Sequence, residues 1–201
     1  MHSRSRLAVL CAALAACQSH AVTAQPPSST SSSRYVPDLP VTRAPYSDVH
    51  AGFKERIAQP YAFVECRGSY RDTGRALPGL FDALRRAGVA AAGPPFALFF
   101  DDPRSAPAEV LRSRACVPIE STSAVRDIAT DLLPQATVAY ALVAGPYPDA
   151  GLAHAGLRAY VSRMGWIVNG PIREVYLVSP ASVQSYGDLV CEVQMPVTNA
   201  P

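Results

Sequence analysis

The feature that most constrains this chain is a repeat. Pro103 and Pro180 are 77 residues apart, and the same offset joins Gly68 to Gly145, Tyr70 to Tyr147, Asp72 to Asp149 and Gly74 to Gly151. It also joins Gly79 to Gly156, Leu80 to Leu157, Gly88 to Gly165 and Gly93-Pro94 to Gly170-Pro171. These are mostly turn residues, whose spacing is set by backbone geometry. Near the end the offset becomes 78, aligning Val117-Pro118-Ile119 with Met195-Pro196-Val197. One added residue there predicts a longer hairpin or a bulge. A chain that repeats its turns in this way folds as two similar halves.

Each copy has the same local reading. A strand ("YAFVECR" from Tyr61, "TVAYALVA" from Thr137) runs into a Gly-x-Tyr turn, "CRGSY" in one copy and "VAGPY" in the other. A helix follows. In copy one, Leu77, Leu80, Phe81 and Leu84 fall on one helical face. Pro78 requires that helix to start near Leu77 or to kink. In copy two, Pro148 and Asp149 suit a helix N-terminus. Gly88 and Gly165 stop the helices. Two strands then close each copy, "FALFFDD" with "LRSRACVPI" and "IREVYLV" with "DLVCEVQMPV". Segments near Phe53–Ile57 and Ala124–Leu132 can add a leading strand to each.

The pieces "CRGSY", "FFDDPRSAPAEVLRSRACVPI", "VAGPY", "REVYLVSP" and "CEVQMPV" together resemble the GyrI-like, or AraC-type effector-binding, domain of the wider SOUL-like fold. The resemblance covers residues 53–197. It implies an α+β fold of two pseudo-symmetric β-α-β-β repeats. Their helices would pack on one side of a curved antiparallel sheet, with a small-molecule cleft on the other. In the family, an acid at the position matched by Glu192 recurs in ligand binding among multidrug sensors.

Strand alternation sorts side chains without the family. In "LVCEVQM", Leu189, Cys191, Val193 and Met195 form an apolar row, so Glu192 points the other way. Its counterpart at offset 78 is Arg114. In "YAFVECR", Ala62, Val64 and Cys66 share one face, and Phe63 lies on the other; Tyr140 is the counterpart of Phe63. Phe99 and Tyr176 correspond, and Glu174 shares the side of Tyr176. The expected ligand-binding set is therefore Phe63, Phe99, Tyr140 and Tyr176 with Glu192, Glu174 and Arg114. Aromatic faces with one or two desolvated carboxylates suit an amphipathic, cationic aromatic ligand. Arg114 could neutralise Glu192 in an empty cleft or recognise an anion itself. Each residue also has a plainer reading: Glu192 as a solvated strand residue, Phe99 and Tyr176 as core, Trp166 as a packing cap, and His154 (in the place of Leu77) as a partly buried, hydrogen-bonded histidine.

The N-terminus reads as an address. "MHSRSR" is basic and "LAVLCAALAA" is apolar but too short to span a bilayer. Leu14-Ala15-Ala16-Cys17 resembles a bacterial lipobox, implying a signal peptide over 1–16 and lipidation of Cys17. Gln18, rather than Asp, then favours the outer membrane, facing the periplasm. The alternative is ordinary cleavage after Val22-Thr23-Ala24. Residues 17–52, rich in Pro and Ser, read as a disordered tether, and 198–201 as a tail. The chain has 18 basic and 16 acidic residues, and Arg4 and Arg6 lie in the signal, so the mature chain is neutral. That balance gives no electrostatic footprint for nucleic acid.

Neither metal nor cofactor is expected. No cysteine pair has zinc spacing. SOUL-like relatives suggest haem, but His154 is the only histidine well inside the domain. Export implies an oxidising compartment, where Cys66, Cys116 and Cys191 could supply at most one internal disulfide; none is expected. The leading functional expectation is a lipid-anchored, small-molecule binding domain of the periplasm, with no protein partner identified. Two alternatives stand beside it. One, implied by the resemblance, is a hydrolase of strained electrophiles, with Glu192 as base and Tyr176 or Tyr140 as proton donor. The other is a structural envelope lipoprotein whose cleft is closed by an Arg114–Glu192 pair.

Overall fold

The computed structural model describes residues 36–46, 48–122 and 127–200. Among these, ten strands and two α-helices form the α+β fold that the resemblance implies. The first copy contains strand β3 (Gln59–Arg67), a 3-10 turn Tyr70–Ala76, helix α1 (Leu77–Arg86), β4 (Phe96–Phe99) and β5 (Arg112–Pro118). The second contains β7 (Ala136–Ala144), a 3-10 turn Tyr147–Ala153, α2 (His154–Arg163), β9 (Ile172–Tyr176) and β10 (Val190–Asn199). Both turns and both helices keep the 77-residue offset at each end. Pro78 sits in the first turn of α1, where its missing N–H costs nothing. Gly88 and Gly165 end the helices with φ of 70° and 69°, a left-handed conformation that disfavours a side chain.

The sheet order runs β7-β10-β9-β4-β5-β3, so the two copies meet at β4 and β9. Those strands are antiparallel, with Ala97 opposite Glu174. These two residues are themselves 77 apart, which places the pseudo-two-fold axis between them. The leading strands are exchanged. Strand β2 (Ala51–Arg56), which precedes copy one, pairs with β7 of copy two. Strand β6 (Thr130–Leu133), which precedes copy two, pairs with β3 of copy one.

Two side-chain layers hold the sheet. On the helix face, α2 packs Leu157 and Val161 on Ala141, Cys191, Val193 and Met195, and α1 packs Leu80 and Leu84 on Ala62, Val117 and Ile119. The far face curls on itself. Arg173 of β9 hydrogen-bonds Gln59 of β3 at 2.6 Å, although β4 and β5 lie between these strands. A flat sheet would hold them about 14 Å apart. Tyr61, Phe96, Leu98, Cys116, Leu133 and Val175 fill that concave side.

Two sequence-level boundaries change. Residues 36–46 and 48–50, read as part of a tether, include a packed arm. Strand β1 (Thr42–Arg43) runs parallel to β7, and Tyr46 is buried with its hydroxyl donating to the Ala144 carbonyl at 3.0 Å. Val49 lies so close to α2 that a Cβ on Gly156 would meet it at 2.6 Å, which explains a glycine inside that helix. The proline-rich composition hid these few anchoring side chains. At the other end, Thr198 and Asn199 extend β10 and pair with β8 (Trp166–Val168) rather than forming a tail. Residues 1–16 and Cys17 lie outside the described residues.

Candidate functional site

The repeated Gly-x-Tyr turn builds the site. Gly68 and Gly145 take φ of 105° and 147°, which releases the chain from its strand into the 3-10 turn. The tyrosine that follows reaches across to a backbone segment. The Tyr70 hydroxyl donates to the Asp101 carbonyl at 2.8 Å and accepts from the Asp101 N–H at 2.9 Å. The Tyr147 hydroxyl donates to the Val178 carbonyl and accepts from the Val178 N–H at 3.1 Å. Asp101 and Val178 are again 77 apart. Each ring stacks beside the aromatic residue that ends the nearby strand, Tyr70 on Phe99 at 4.6 Å and Tyr147 on Tyr176 at 4.5 Å. Two aromatic walls result, one from each copy.

Between them lies a cavity of about 1050 Å³. It is on the helix face. Helix α1 covers β3 and β5 and α2 covers β7 and β10, so neither helix covers the two central strands. The floor is formed where β4 and β9 meet at the pseudo-two-fold axis. The expected cleft opposite the helices is thus corrected: the far face is filled by its own core, and the opening is between the helical limbs.

The cavity is polarised. Leu77 and Phe99 of copy one face it where copy two presents His154 and Tyr176. Glu174 of copy two stands where copy one has Ala97. All three polar substitutions therefore lie on one wall. Glu174 is 4% exposed, and among the described lining residues it is the only carboxylate. His154 Nε2 lies 2.9 Å from Glu174 Oε1. Burial pushes the Tyr147 phenol up to about 12. Burial first, and then the charge of Glu174, raises Tyr176 well above the usual phenol range. Both remain protonated donors at neutral pH. The rim is basic but paired, Arg71 with Asp149 at 2.8 Å and Arg75 with Asp72 at 3.0 Å.

The expected site residues divide between the two faces of the sheet. Phe99, Glu174 and Tyr176 line the cavity. Phe63, Arg114, Tyr140 and Glu192 lie on the far face. Glu192 accepts from Lys54 at 2.7 Å and from Gln194 at 2.6 Å, with Lys54 over the Tyr140 ring at 4.1 Å. Arg114 stacks on Phe63 at 3.9 Å and pairs with Glu65 and Asp131 at 3.0 and 2.8 Å. Arg114 and Glu192 thus each have another partner. The hydrolytic set is divided as well: Tyr176 lines the cavity, while Glu192 and Tyr140 are across the sheet. The reason is register. Glu192 pairs with Val175, so Glu192 and Val175 share a face, and Glu174 and Tyr176 point the opposite way. Alternation sorts one strand at a time; only the pairing relates one strand to the next.

Other residues resolve similarly. Cys116 belongs to the far-face core and Cys191 to the helix-face core, and Cys66, Cys116 and Cys191 are free thiols. Trp166 packs edge-on against Phe53 at 5.5 Å, away from the cavity. Tyr70, Tyr147, His154 and Gly151 line the cavity without having been singled out as site residues. The repeat carries the signal for the two tyrosines, since Tyr70 and Tyr147 recur at the 77-residue offset.

Solved structures share this architecture. The C-terminal domain of EcmrR superposes with a TM-score of 0.67 at 18% identity, covering 76% of this chain and 99% of that one. EcmrR in its DNA complex gives 0.67 at 18% identity, covering 75% of this chain and 57% of that one, so this chain spans little more than half the length of that protein. A conserved protein from Listeria innocua gives 0.56 at 9% identity, covering 74% and 92%. At these identities the likeness concerns the fold. No curated protein sequence matches the chain. Residues 53–198 match the model of the GyrI-like small molecule binding domain, and with its paired turns, exchanged leading strands and central cavity the chain belongs to that family.

Proposed function

We propose that the cavity captures an amphipathic small molecule with one cationic, aromatic end. The observation that carries this reading is a single buried carboxylate, Glu174, in the centre of a floor otherwise made of aromatic and apolar groups. The polarity of the two walls orients the ligand, with its apolar body toward Leu77 and Phe99 and its cation toward Glu174. A cation held near a buried carboxylate gains far more than one in water, because the surroundings screen it less. The Tyr176 hydroxyl, free of hydrogen bonds to the described residues, offers one further donor.

The test is calorimetric titration of the full chain with methyltriphenylphosphonium, a permanently charged aromatic cation. Glu174→Gln is expected to lower affinity about 10- to 100-fold, equivalent to about 1.4–2.8 kcal/mol. Glu192→Gln, across the sheet, is expected to change it by less than about twofold. The reverse ranking would move the site to the far face.

We also propose that the domain is displayed in the periplasm from lipidated Cys17, most simply on the outer membrane. The lipobox-like Leu14-Ala15-Ala16-Cys17 supports this, since acyl chains contribute about 0.8 kcal/mol per buried CH₂. Cys17→Ala is expected to shift the protein from the membrane fraction to the soluble fraction after cell lysis. An unchanged distribution would remove the anchor.

A further inference from the structure

His154 is the one side chain in the cavity that ordinarily changes charge near neutral pH, and it occupies the place that leucine holds in the other copy. Its Nε2 sits on Glu174 Oε1 at 2.9 Å, and its ring lies 6.5 Å from that of Phe99. A Cβ placed on Gly151 would make ordinary contacts with its Cε1 at 3.8 Å and with Glu174 Oε1 at 3.9 Å, and Gly151, His154 and Glu174 all line the cavity. The imidazole therefore stands beside the carboxylate that, on the reading above, receives the ligand's charge.

We propose that His154 is a proton-carrying placeholder for the ligand's cation, so that the cavity binds cationic ligands more tightly as pH rises. With the imidazole neutral, the Glu174–His154 pair carries one negative charge. With it protonated, the pair is neutral and already contains an internal cation. A cationic ligand favours the first state, so its binding expels a proton. By linkage, affinity then rises with pH, by at most tenfold per unit where the imidazole titrates. An uncharged ligand of the same shape gains nothing from the proton's departure. This inference rests on the cation-binding reading and adds its regulation.

The groups around His154 do not supply the same response. Glu174 and Tyr176 face it from β9, Tyr70, Arg71 and Arg75 from the first 3-10 turn, and Tyr147 and Asp149 from the second. Arg158, one turn along its own helix, approaches Asp102 at 3.9 Å, and Cys191 of β10, opposite Tyr176, is close enough to feel the charge of Glu174. Burial raises Tyr70, Tyr147, Tyr176 and Cys191, which keeps them protonated through neutral pH. Arg104 holds Asp102 well below the usual carboxylate range. The arginines are permanently charged. Asp149 is paired with Arg71 at 2.8 Å, and Glu174 is the other member of the pair, which the variants below separate from His154.

The experiment titrates the full chain with methyltriphenylphosphonium at pH 5, 6, 7 and 8 and constant ionic strength, beside the uncharged triphenylphosphine oxide. Wild-type affinity for the cation is expected to rise at least tenfold from pH 5 to pH 8, with no rise for the oxide. His154→Leu, the residue of copy one, and His154→Gln, which retains a donor toward Glu174, are both expected to lose the slope. Two variants guard against one failing to fold. Cation binding in wild type with a flat profile overturns the placeholder role while leaving the binding reading intact. A slope that survives in both variants assigns the titration to Glu174 and also overturns it. Absence of cation binding at every pH removes the binding reading and this inference together.

Discussion

Leucine at Gly151 is expected to lower affinity for an aromatic cation at least about 100-fold, about 2.7 kcal/mol, while the domain stays folded. Gly151 lines the cavity, and its backbone is outside the left-handed region, so a side chain adds no backbone strain. The first carbon would make ordinary contacts with His154 and Glu174, at 3.8 and 3.9 Å. The remaining carbons of a leucine would project into the space that a ligand's charged end needs. The variant thus blocks the polar wall without disturbing the pair that forms it. Gly74 is the pseudo-symmetric control. A Cβ there meets nothing within 4 Å, and the position borders the apolar wall. Gly74→Leu is expected to cost about tenfold or less, because an apolar body can shift along an apolar wall and a cation cannot leave its carboxylate. Calorimetric affinities, with circular dichroism to confirm folding, give the comparison. Equal affinities for Gly151→Leu and wild type would show that ligand binds elsewhere.

Phe96→Ala is expected to be the most damaging single change to stability, near the upper end of the about 3–5 kcal/mol typical of a buried aromatic truncation. Phe96 is fully buried in the far-face core, where it meets the Tyr61 ring at 5.4 Å. It also supports Arg173, whose guanidinium lies over the ring at 4.0 Å. Burial, and then the charge of Arg56, lower Arg173 to about 10, so it remains charged at neutral pH. Its Nη2 reaches Gln59, but its Nε has no partner among the described residues. Removing the ring would therefore leave both a cavity and a buried cation stripped of its aromatic contact. Phe81→Ala, at a half-exposed position on the cavity, is expected to cost about 1 kcal/mol or less. Urea unfolding midpoints measure both. A loss below about 1.5 kcal/mol for Phe96→Ala would mean that the far-face core is less closely packed than described.

The two variants probe opposite faces of one sheet, and that separation was the hardest part to read from sequence. Glu174 and Glu192 each sit in an alternating strand, and each alternation is sorted correctly: Glu192 points away from Cys191 and Val193, and Glu174 shares its side with Tyr176. What alternation lacks is the phase between strands. Setting Glu192 opposite Val175 sends the two glutamates to opposite faces, one to a lysine partner and one to the cavity. The arm of residues 36–46 and 48–50 was illegible for a different reason. Its anchors, Thr42, Tyr46 and Val49, are too sparse to make a period, and they are held by a parallel strand pair and a close approach to α2.

The repeat by itself determined that there would be two equivalent halves, where their turns fall and where their helices end, and that α1 either starts near Leu77 or kinks there. These follow from local chemistry: glycines that tolerate positive φ, prolines that fit only a first turn, and apolar residues at helical spacing. Only the tertiary structure decided that the leading strands cross to the other copy, that Ala97 faces Glu174 across the axis, and that the opening lies between the helical limbs. Those are relations between segments distant in sequence. They depend on strand register and on which part of a sheet two short helices leave uncovered, and no local pattern in either copy carries that information.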